Sequence, residues 1–91
     1  MTRIRWTTEA AAQFETFVIR IRERNPEAAR ALAQTIIDRI TELQTFPGLG
    51  RPGDRPGTRE LVFSPYVIVY RIRHDVAEIL HIWHGAQDWR D

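Results

Sequence analysis

Two histidines near the C-terminal end of the chain are the first candidates for chemistry. Imidazole changes its protonation state near neutral pH, so His84 could serve as a general acid or base. His81 lies three residues earlier, and this spacing on a strand places the two side chains on opposite faces, which makes a poor metal site. Because the chain has no Cys and no third clustered ligand, we expect no metal, no cofactor and no disulfide. The apolar neighbours of His81 favour a hydrogen-bonded core histidine.

Arginine is the other side chain with chemical potential. All thirteen basic residues are Arg, so no amine is available as a general base or for a Schiff base. Four Gly, three Pro and three Arg fall within FPGLGRPGDRPGTREL, residues 46–61. This segment must turn the chain sharply, and its arginines, Arg51, Arg55 and Arg59, would form a basic rim beside the next strand. The rim could face a target or an acidic partner, and solubility alone could also explain it.

Length and charge limit the class of protein. The 91 residues are expected to form a single domain, residues 1–91, with a thin core that often depends on a partner. A formal net charge of +1 is weak for a protein that must hold nucleic acid through its phosphates. No apolar run could span a bilayer and no signal segment is visible. We therefore expect a cytoplasmic protein that does not engage a membrane.

Two helices are predicted before the Gly/Pro segment. The alternating RIRW, residues 3–6, indicates a short first strand. Apolar residues at helical spacing then predict a helix that follows a threonine N-cap and runs to about Arg24. Asn25 is a good N-cap for a second amphipathic helix, which ends near Phe46 because Pro and Gly follow. The short connection predicts an antiparallel helical hairpin.

Three strands are predicted after the Gly/Pro segment. TRELVF (58–63), YVIVYRI (66–72) and VAEILHIW (76–83) alternate with period two and are rich in β-branched and aromatic residues. Tight turns between them predict antiparallel pairing. The order β-α-α-β-β-β therefore predicts an α+β fold, with the helical hairpin packed on one face of a small, mostly antiparallel sheet.

The second face of this sheet is predicted to hold apolar residues that the helices do not cover. Strict alternation assigns to it the following residues: Val67, Val69, Arg71, Arg73, Val76, Glu78, Leu80, Ile82 and His84. His81 and Trp83 would instead share the face that the helices cover. An uncovered apolar face usually marks a partner, although the loop 47–57 and the C-terminal tail could equally fold over it. Arg59 and Arg71 could pair with Glu60 or Glu78, and Trp89 could anchor the tail or contact a partner.

Four motifs occur in order after the two helices: FPGLGR (46–51), GTREL (57–61), YVIVYRI (66–72) and ILHIWHGAQDW (79–89). Together they resemble the RelE/ParE superfamily of toxins from bacterial type II toxin–antitoxin systems, over nearly the whole chain. The resemblance implies a RelE-like fold and a toxin that inhibits bacterial growth. It also implies a cognate antitoxin that wraps and neutralises the toxin, and hence a toxin–antitoxin hetero-oligomer.

The superfamily divides by mechanism, and the residues favour one branch. RelE-like members cut mRNA in the ribosomal A site, whereas ParE-like members poison DNA gyrase. Ribonuclease members commonly have the arrangement Y-R-x-V-Y, but Val67 stands where their Arg would be, and an apolar side chain cannot hold a developing phosphorane charge. Two long helices also resemble the ParE-like branch. His84 with Asp88 four residues later occurs in that branch, and some ribonucleases have a catalytic His nearby, so His84 does not decide the matter.

We therefore expect a ParE-like, non-enzymatic inhibitor of DNA gyrase. The alternative is a ribosome-dependent mRNA endoribonuclease with Arg59, Arg71 and His84 as catalytic residues. A third hypothesis is a toxin-fold remnant that only binds its partner or regulates transcription with it. Contacts to the target or the antitoxin are expected at the following residues: Arg51, Arg55, Val67, Val69, Leu80, Ile82 and Trp89.

Overall fold

Two helices and a five-stranded sheet make up residues 1–85, the part of the chain that this computed structural model describes. The elements are β1 (Arg3–Trp6), α1 (Thr8–Arg24), α2 (Pro26–Thr41), a short 3₁₀ helix (Glu42–Gln44), β2 (Arg51–Pro52), β3 (Thr58–Phe63), β4 (Tyr66–Arg73) and β5 (Val76–His84). The strand order is β1-β5-β4-β3-β2. Only the pairing of β1 with β5 is parallel. The predicted α+β architecture is confirmed.

Two element boundaries differ from the prediction. The second α-helix ends at Thr41 and tightens into the 3₁₀ helix up to Gln44, instead of continuing to near Phe46. The Gly/Pro segment is not irregular throughout, because Arg51 and Pro52 form β2 at the edge of the sheet. Pro is tolerated there because an edge strand has one side without ladder hydrogen bonds. No helix within residues 1–85 is long and apolar enough to cross a membrane.

A single residue joins the two helices. The backbone N–H of Asn25 donates to the carbonyl of Ile21 at the end of α1, with an N–O distance of 2.7 Å. The Asn25 side chain accepts from the N–H of Ala28 at 3.1 Å and so caps α2. At the other end of α1, the Thr7 hydroxyl accepts from the N–H of Ala10 and donates to the carbonyl of Ile79. These caps satisfy otherwise unpaired N–H groups and fix the hairpin to β5.

The hydrophobic core lies between the helical hairpin and one face of the sheet. It contains apolar residues from both helices, the 3₁₀ helix and the three long strands: Ala10, Ile36, Ile40, Leu43, Leu61, Ile68, Tyr70, Ala77, Ile79 and Ile82. At one edge of this core the rings of Trp6 and Phe14 pack with centroids 5.3 Å apart. The apolar residues at helical spacing and those at alternate strand positions both lie in this layer, because each helix and strand buries one apolar face.

A β-bulge interrupts the alternation of β5. Val69 pairs with His81, but the next residue of β4, Tyr70, pairs with Ile79. Leu80 is therefore an extra residue, opposed by no residue of β4 of its own. A bulge of this kind reverses which face each later side chain of the strand occupies.

The bulge makes the face prediction for the end of β5 wrong. Ile82 lies opposite Ile68 and His84 opposite Tyr66, on the face that the helices cover, and Ile82 is completely buried. Trp83 lies opposite Val67, so it shares the other face. His81 moves to that face as well, together with Val69.

The second face is not an uncovered apolar surface. Val67 is only 8% exposed and Val69 only 6%, so the first of the two alternatives, an open apolar face, does not hold for these valines. Val62, which pairs with Val67 from β3, is 41% exposed. The prominent surface groups of this face are instead the charged side chains described below.

A buried tyrosine fastens the Gly/Pro segment to the sheet. The Tyr70 hydroxyl accepts from the N–H of Gly50 and donates to the carbonyl of Pro47, both at 2.8 Å. Burial raises the pKa of Tyr70, so the hydroxyl retains the proton that it donates. A Cβ at Gly50 would lie 2.8 Å from both the Glu60 carbonyl oxygen and the Tyr70 ring. Only glycine permits this approach, because no real Cβ contact is that short.

Replacing Tyr70 with Phe should destabilise the fold measurably. The change removes one hydroxyl that serves two backbone groups, and we expect a loss of about 1–3 kcal/mol in the free energy of unfolding, measured by urea denaturation. Tyr66→Phe is the matched control, since the Tyr66 hydroxyl makes no hydrogen bond to a described residue. Equal losses in the two variants would show that the Tyr70 hydrogen bonds do not carry this stability.

Candidate functional site

Arg59 faces the helix side of the sheet and is hydrogen-bonded to the crossover segment, residues 45–50, which connects the 3₁₀ helix to β2. It pairs in register with Tyr70, and its guanidinium Nη1 donates to the carbonyl of Gly50 at 2.7 Å and more weakly to Gly48 at 3.4 Å. The predicted pairing of Arg59 with Glu60 is wrong, because neighbouring residues of a strand point to opposite faces. Arg59 therefore stabilises the turn that follows the second helix.

Arg71 lies on the opposite face and is paired with a carboxylate. Its Nε donates to Oε1 of Glu78 at 2.8 Å, across the β4–β5 ladder in which the two residues are direct partners. The predicted cross-strand pair is therefore present. Arg71 remains partly accessible, with 38% of its side chain exposed.

His84 is remote from both arginines. Its ring meets that of Tyr66 edge-on, with centroids 5.5 Å apart and an interplanar angle of 83°, and lies 6.4 Å from that of Phe17. Because His84 pairs with Tyr66, it is five residues along β4 from Arg71, about 17 Å away. The three catalytic candidates of the sequence thus do not converge on one reacting atom.

Sequence reasoning missed Arg5, which completes a three-strand charge cluster. Parallel pairing places Arg5 directly beside Glu78, and its Nη2 bonds to Oε2 of that carboxylate. Glu78 is therefore held from both sides, by β1 and by β4. The hydrogen bonds from Arg5 and then Arg71 hold the pKa of Glu78 below its usual range. The alternation of RIRW predicts that Arg3 and Arg5 share one face of β1, but it does not predict which strand pairs with β1.

Glu60 organises a second charge pair on the same face. This buried carboxylate accepts from Nε and Nη2 of Arg51 at 3.1 and 3.0 Å. Arg51 keeps 56% of its side chain exposed, so it lies on the surface although it is paired. Arg55 is exposed, and its guanidinium has no ion pair with any residue in the described range. Of the predicted basic rim, only Arg51 and Arg55 face outward.

His81 is half-buried at the bulge and not a core histidine under the helices. Its ring stacks on that of Trp83 with centroids 4.8 Å apart, and its Nδ1 lies 3.6 Å from Oε1 of Glu9. The prediction that His81 lies on the helix side was wrong, because the extra residue Leu80 moves the His81 side chain to the opposite face. Leu80, the bulged residue, is half-buried. Trp89 lies outside the described residues.

A groove of about 240 Å³ runs between α1 and the end of β5. β1 pairs with β5 only as far as Ile79. Beyond that point the side-chain oxygen of Gln13 accepts a hydrogen bond from the backbone N–H of Ile82 at 2.8 Å. Phe17 and Trp83 contribute apolar walls, and Arg20 a charge. Among residues 1–85, no group of three His, Asp or Glu side chains could hold a metal ion.

Comparison with protein families and curated relatives gives consistent matches. The sequence model described as "ParE toxin of type II toxin-antitoxin system, parDE" matches residues 4–89. Putative toxin Y4kP of Sinorhizobium fredii is 40% identical over 89 residues, which cover 96% of this chain and 92% of the relative. Toxin RelE1 of Caulobacter vibrioides is 31% identical over 85 residues, which cover 89% and 90% of the two chains.

Solved structures share the fold. A chain of the chromosomal ParDE toxin–antitoxin system from P. aeruginosa superposes with a TM-score of 0.82 at 29% identity, over 92% of this chain and 96% of that one. A chain of the toxin–antitoxin complex RelBE2 from Mycobacterium tuberculosis gives a TM-score of 0.65 at 24% identity, over 91% and 96%. The second likeness concerns the fold alone.

The doubly paired carboxylate predicts a specific loss of stability in acid. Because the pKa of Glu78 is lowered in the folded chain, its pairing with Arg5 and Arg71 stabilises the fold fully above the ordinary glutamate value of 4.5. This contribution is lost as the pH falls through the lowered pKa. Glu78→Gln should be less stable than the parent chain near neutral pH, and the difference should shrink in acid, as measured by urea denaturation at a series of pH values.

Glu15→Gln is the control for this experiment. Glu15 is exposed on α1 and has no ion pair with a described residue. Its variant should follow the pH dependence of the parent chain. A Glu78→Gln variant with an unchanged acid profile would contradict the role of the cluster.

Proposed function

This chain belongs to the ParE toxin family of type II toxin–antitoxin systems, and we propose that it arrests bacterial growth by inhibiting DNA gyrase. We further propose that a cognate antitoxin binds it and blocks this action. The toxin would act by binding, without a chemical step of its own. Gyrase is then the target, and the toxin–antitoxin hetero-oligomer is the inactive form.

The separation of the candidate catalytic groups is the observation that supports this branch. Cleavage of RNA by its 2′-hydroxyl needs a base, a cation for the phosphorane and an acid at one site. Here Arg59 is bonded to crossover carbonyls, Arg71 is bonded to Glu78, and His84 packs on the helix side. These positions are suited to structural roles.

The environment of Val67 supports the same branch. Val67 lies between Val62 and Trp83 in the sheet and is largely buried. An arginine at this position would place a guanidinium on the sheet face opposite the helices, where a phosphorane could be bound. The valine instead is buried and contributes packing between β3, β4 and β5, so this position supplies no cation.

The proposal of an antitoxin partner draws on the relatives. The similar structures come from a ParDE system and a RelBE2 toxin–antitoxin complex, and we infer a corresponding partner for this chain. Arg51, Arg55 and the half-buried Leu80 are accessible for contact with it or with gyrase. Val67, Val69 and Ile82 could shape a contact only from beneath the surface, since they are buried. A contact by Trp89 also stays a prediction.

A paired assay separates gyrase inhibition from ribonuclease activity. The purified chain should inhibit supercoiling by bacterial DNA gyrase and should leave mRNA intact in a translating extract. His84→Ala should inhibit gyrase to the same extent, because this imidazole has no assigned role in binding. Addition of the antitoxin encoded beside the toxin gene should restore supercoiling.

The opposite pattern would identify the alternative function. If mRNA is cut in the extract while supercoiling continues, the chain is a ribosome-dependent endoribonuclease. Loss of that cleavage in His84→Ala would then assign the imidazole to catalysis. A chain that affects neither process and leaves growth unchanged would be a remnant that only binds its partner.

A further inference from the structure

Four arginines lie together on the sheet face opposite the helices, where β1, β5 and β4 are adjacent. The register places Arg3 and Arg73 on either side of Val76, and Arg5 and Arg71 on either side of Glu78. Residues two apart on a strand share a face, so all four side chains project the same way. We call these four residues the arginine quartet. It spans about 10 Å across the strands and about 7 Å along them.

The quartet has a surplus of positive charge. Glu78 is the only acidic residue in these two rows, so four guanidinium groups face one carboxylate. The side chains of Arg3 and Arg73 have no ion pair or hydrogen bond with any described residue, and both are exposed. The chain as a whole has a net charge of +1, so the surplus here is local and is offset elsewhere.

Glu78 also orients two members of the quartet. Its Oε1 accepts from Nε of Arg71, and its Oε2 from Nη2 of Arg5. Each guanidinium has five N–H donors, so most of them stay available to a ligand. The exposed fractions of 38% for Arg71 and 71% for Arg5 leave that route open. Groups fixed in this way lose less conformational freedom when they bind.

We propose that the arginine quartet binds the phosphodiester backbone of duplex DNA. The planar guanidinium matches two phosphate oxygens at once, and the spread of the quartet exceeds the size of a single phosphate. A chain of regularly spaced phosphates is therefore the ligand that could engage several members together. This inference rests on the proposed function in one respect, since DNA gyrase presents duplex DNA to whatever binds beside it.

The composition of the surface favours DNA backbone over two other polyanions. An acidic protein segment would need apolar or aromatic anchors at the centre of its contact, and the two rows offer only the half-buried Val76. Single-stranded nucleic acid is held by stacking of bases on aromatic side chains, and these rows contain none. Phosphate contacts on a duplex need neither feature.

Fluorescence anisotropy with a short labelled DNA duplex tests the proposal without gyrase. The double variant Arg3→Gln/Arg73→Gln removes two charges that make no described side-chain contact, so the fold should be kept, as thermal unfolding can verify. Arg22→Gln/Arg24→Gln is the matched control, because it removes two exposed arginines from the last turn of α1. Both variants change the net charge of the chain by the same amount.

The salt dependence gives the expected result. The quartet variant should bind DNA more weakly than the parent chain, and its slope of log affinity against log salt should be shallower by about 1.8 between about 50 and 200 mM salt, because each phosphate that an arginine neutralises adds about 0.9 to the slope. The control should keep the parent slope. Equal losses of affinity in both variants would overturn the proposal, because global charge would then explain the binding. Absence of binding by the parent chain, or displacement of DNA by polyglutamate at an equal concentration of charges, would also overturn it.

The supercoiling assay distinguishes failure of this proposal from failure of the proposed function. If the parent chain inhibits gyrase while the quartet variant keeps its DNA affinity and slope, the quartet proposal is wrong and the gyrase proposal stands. If DNA binding depends on the quartet but the parent chain does not inhibit gyrase, the quartet proposal stands and gyrase is not the target.

Discussion

One extra residue in β5 decides which side chains reach each face of the sheet. Before Leu80, β5 pairs with β1 and presents Glu78 to the face opposite the helices. After Leu80 the phase is reversed, so that Ile82 enters the core beneath α1. Without this bulge the strand would place Trp83 under the helices and Ile82 outside. The burial of Ile82 in the core depends on this single irregularity, which lies just beyond the point where β1 stops pairing with β5.

Two buried carboxylates order the arginines of the surface. Glu78 holds Arg5 and Arg71, and Glu60 holds Arg51. Burial of an unpaired carboxylate would be costly, so each glutamate requires its arginines, and each arginine is thereby fixed on the sheet. Two guanidinium groups were catalytic candidates in the sequence. Arg71 instead pairs with Glu78, and Arg59 is hydrogen-bonded to the carbonyl of Gly50. A surface arranged in this way is suited to recognition by charge and shape, as the proposed function requires.

The sequence predicts the elements well because each has a local cause. Asn25 and Pro26 mark the junction of the helices through capping, and the alternation of YVIVYRI marks a central strand. The bulge could not be predicted, since ILHIW is apolar in both phases and either assignment buries hydrophobic side chains. Arg5 was missed because its partner, Glu78, lies 73 residues away in the sequence. No local sequence pattern predicts that β1 and β5 are neighbours in the sheet. The carbonyls that engage Arg59 belong to a turn whose path depends on the buried Tyr70.

Separate labelling of DNA and protein synthesis, after induction of this chain alone in a bacterial host, distinguishes inhibition of gyrase from cleavage of mRNA. If gyrase is the target, DNA synthesis should stop first and the cells should grow into filaments, because inhibited gyrase blocks replication while translation continues. A collapse of protein synthesis within minutes, with DNA synthesis still under way, would contradict gyrase as the target. The catalytic groups of a ribonuclease would then have to assemble from residues that are held apart here.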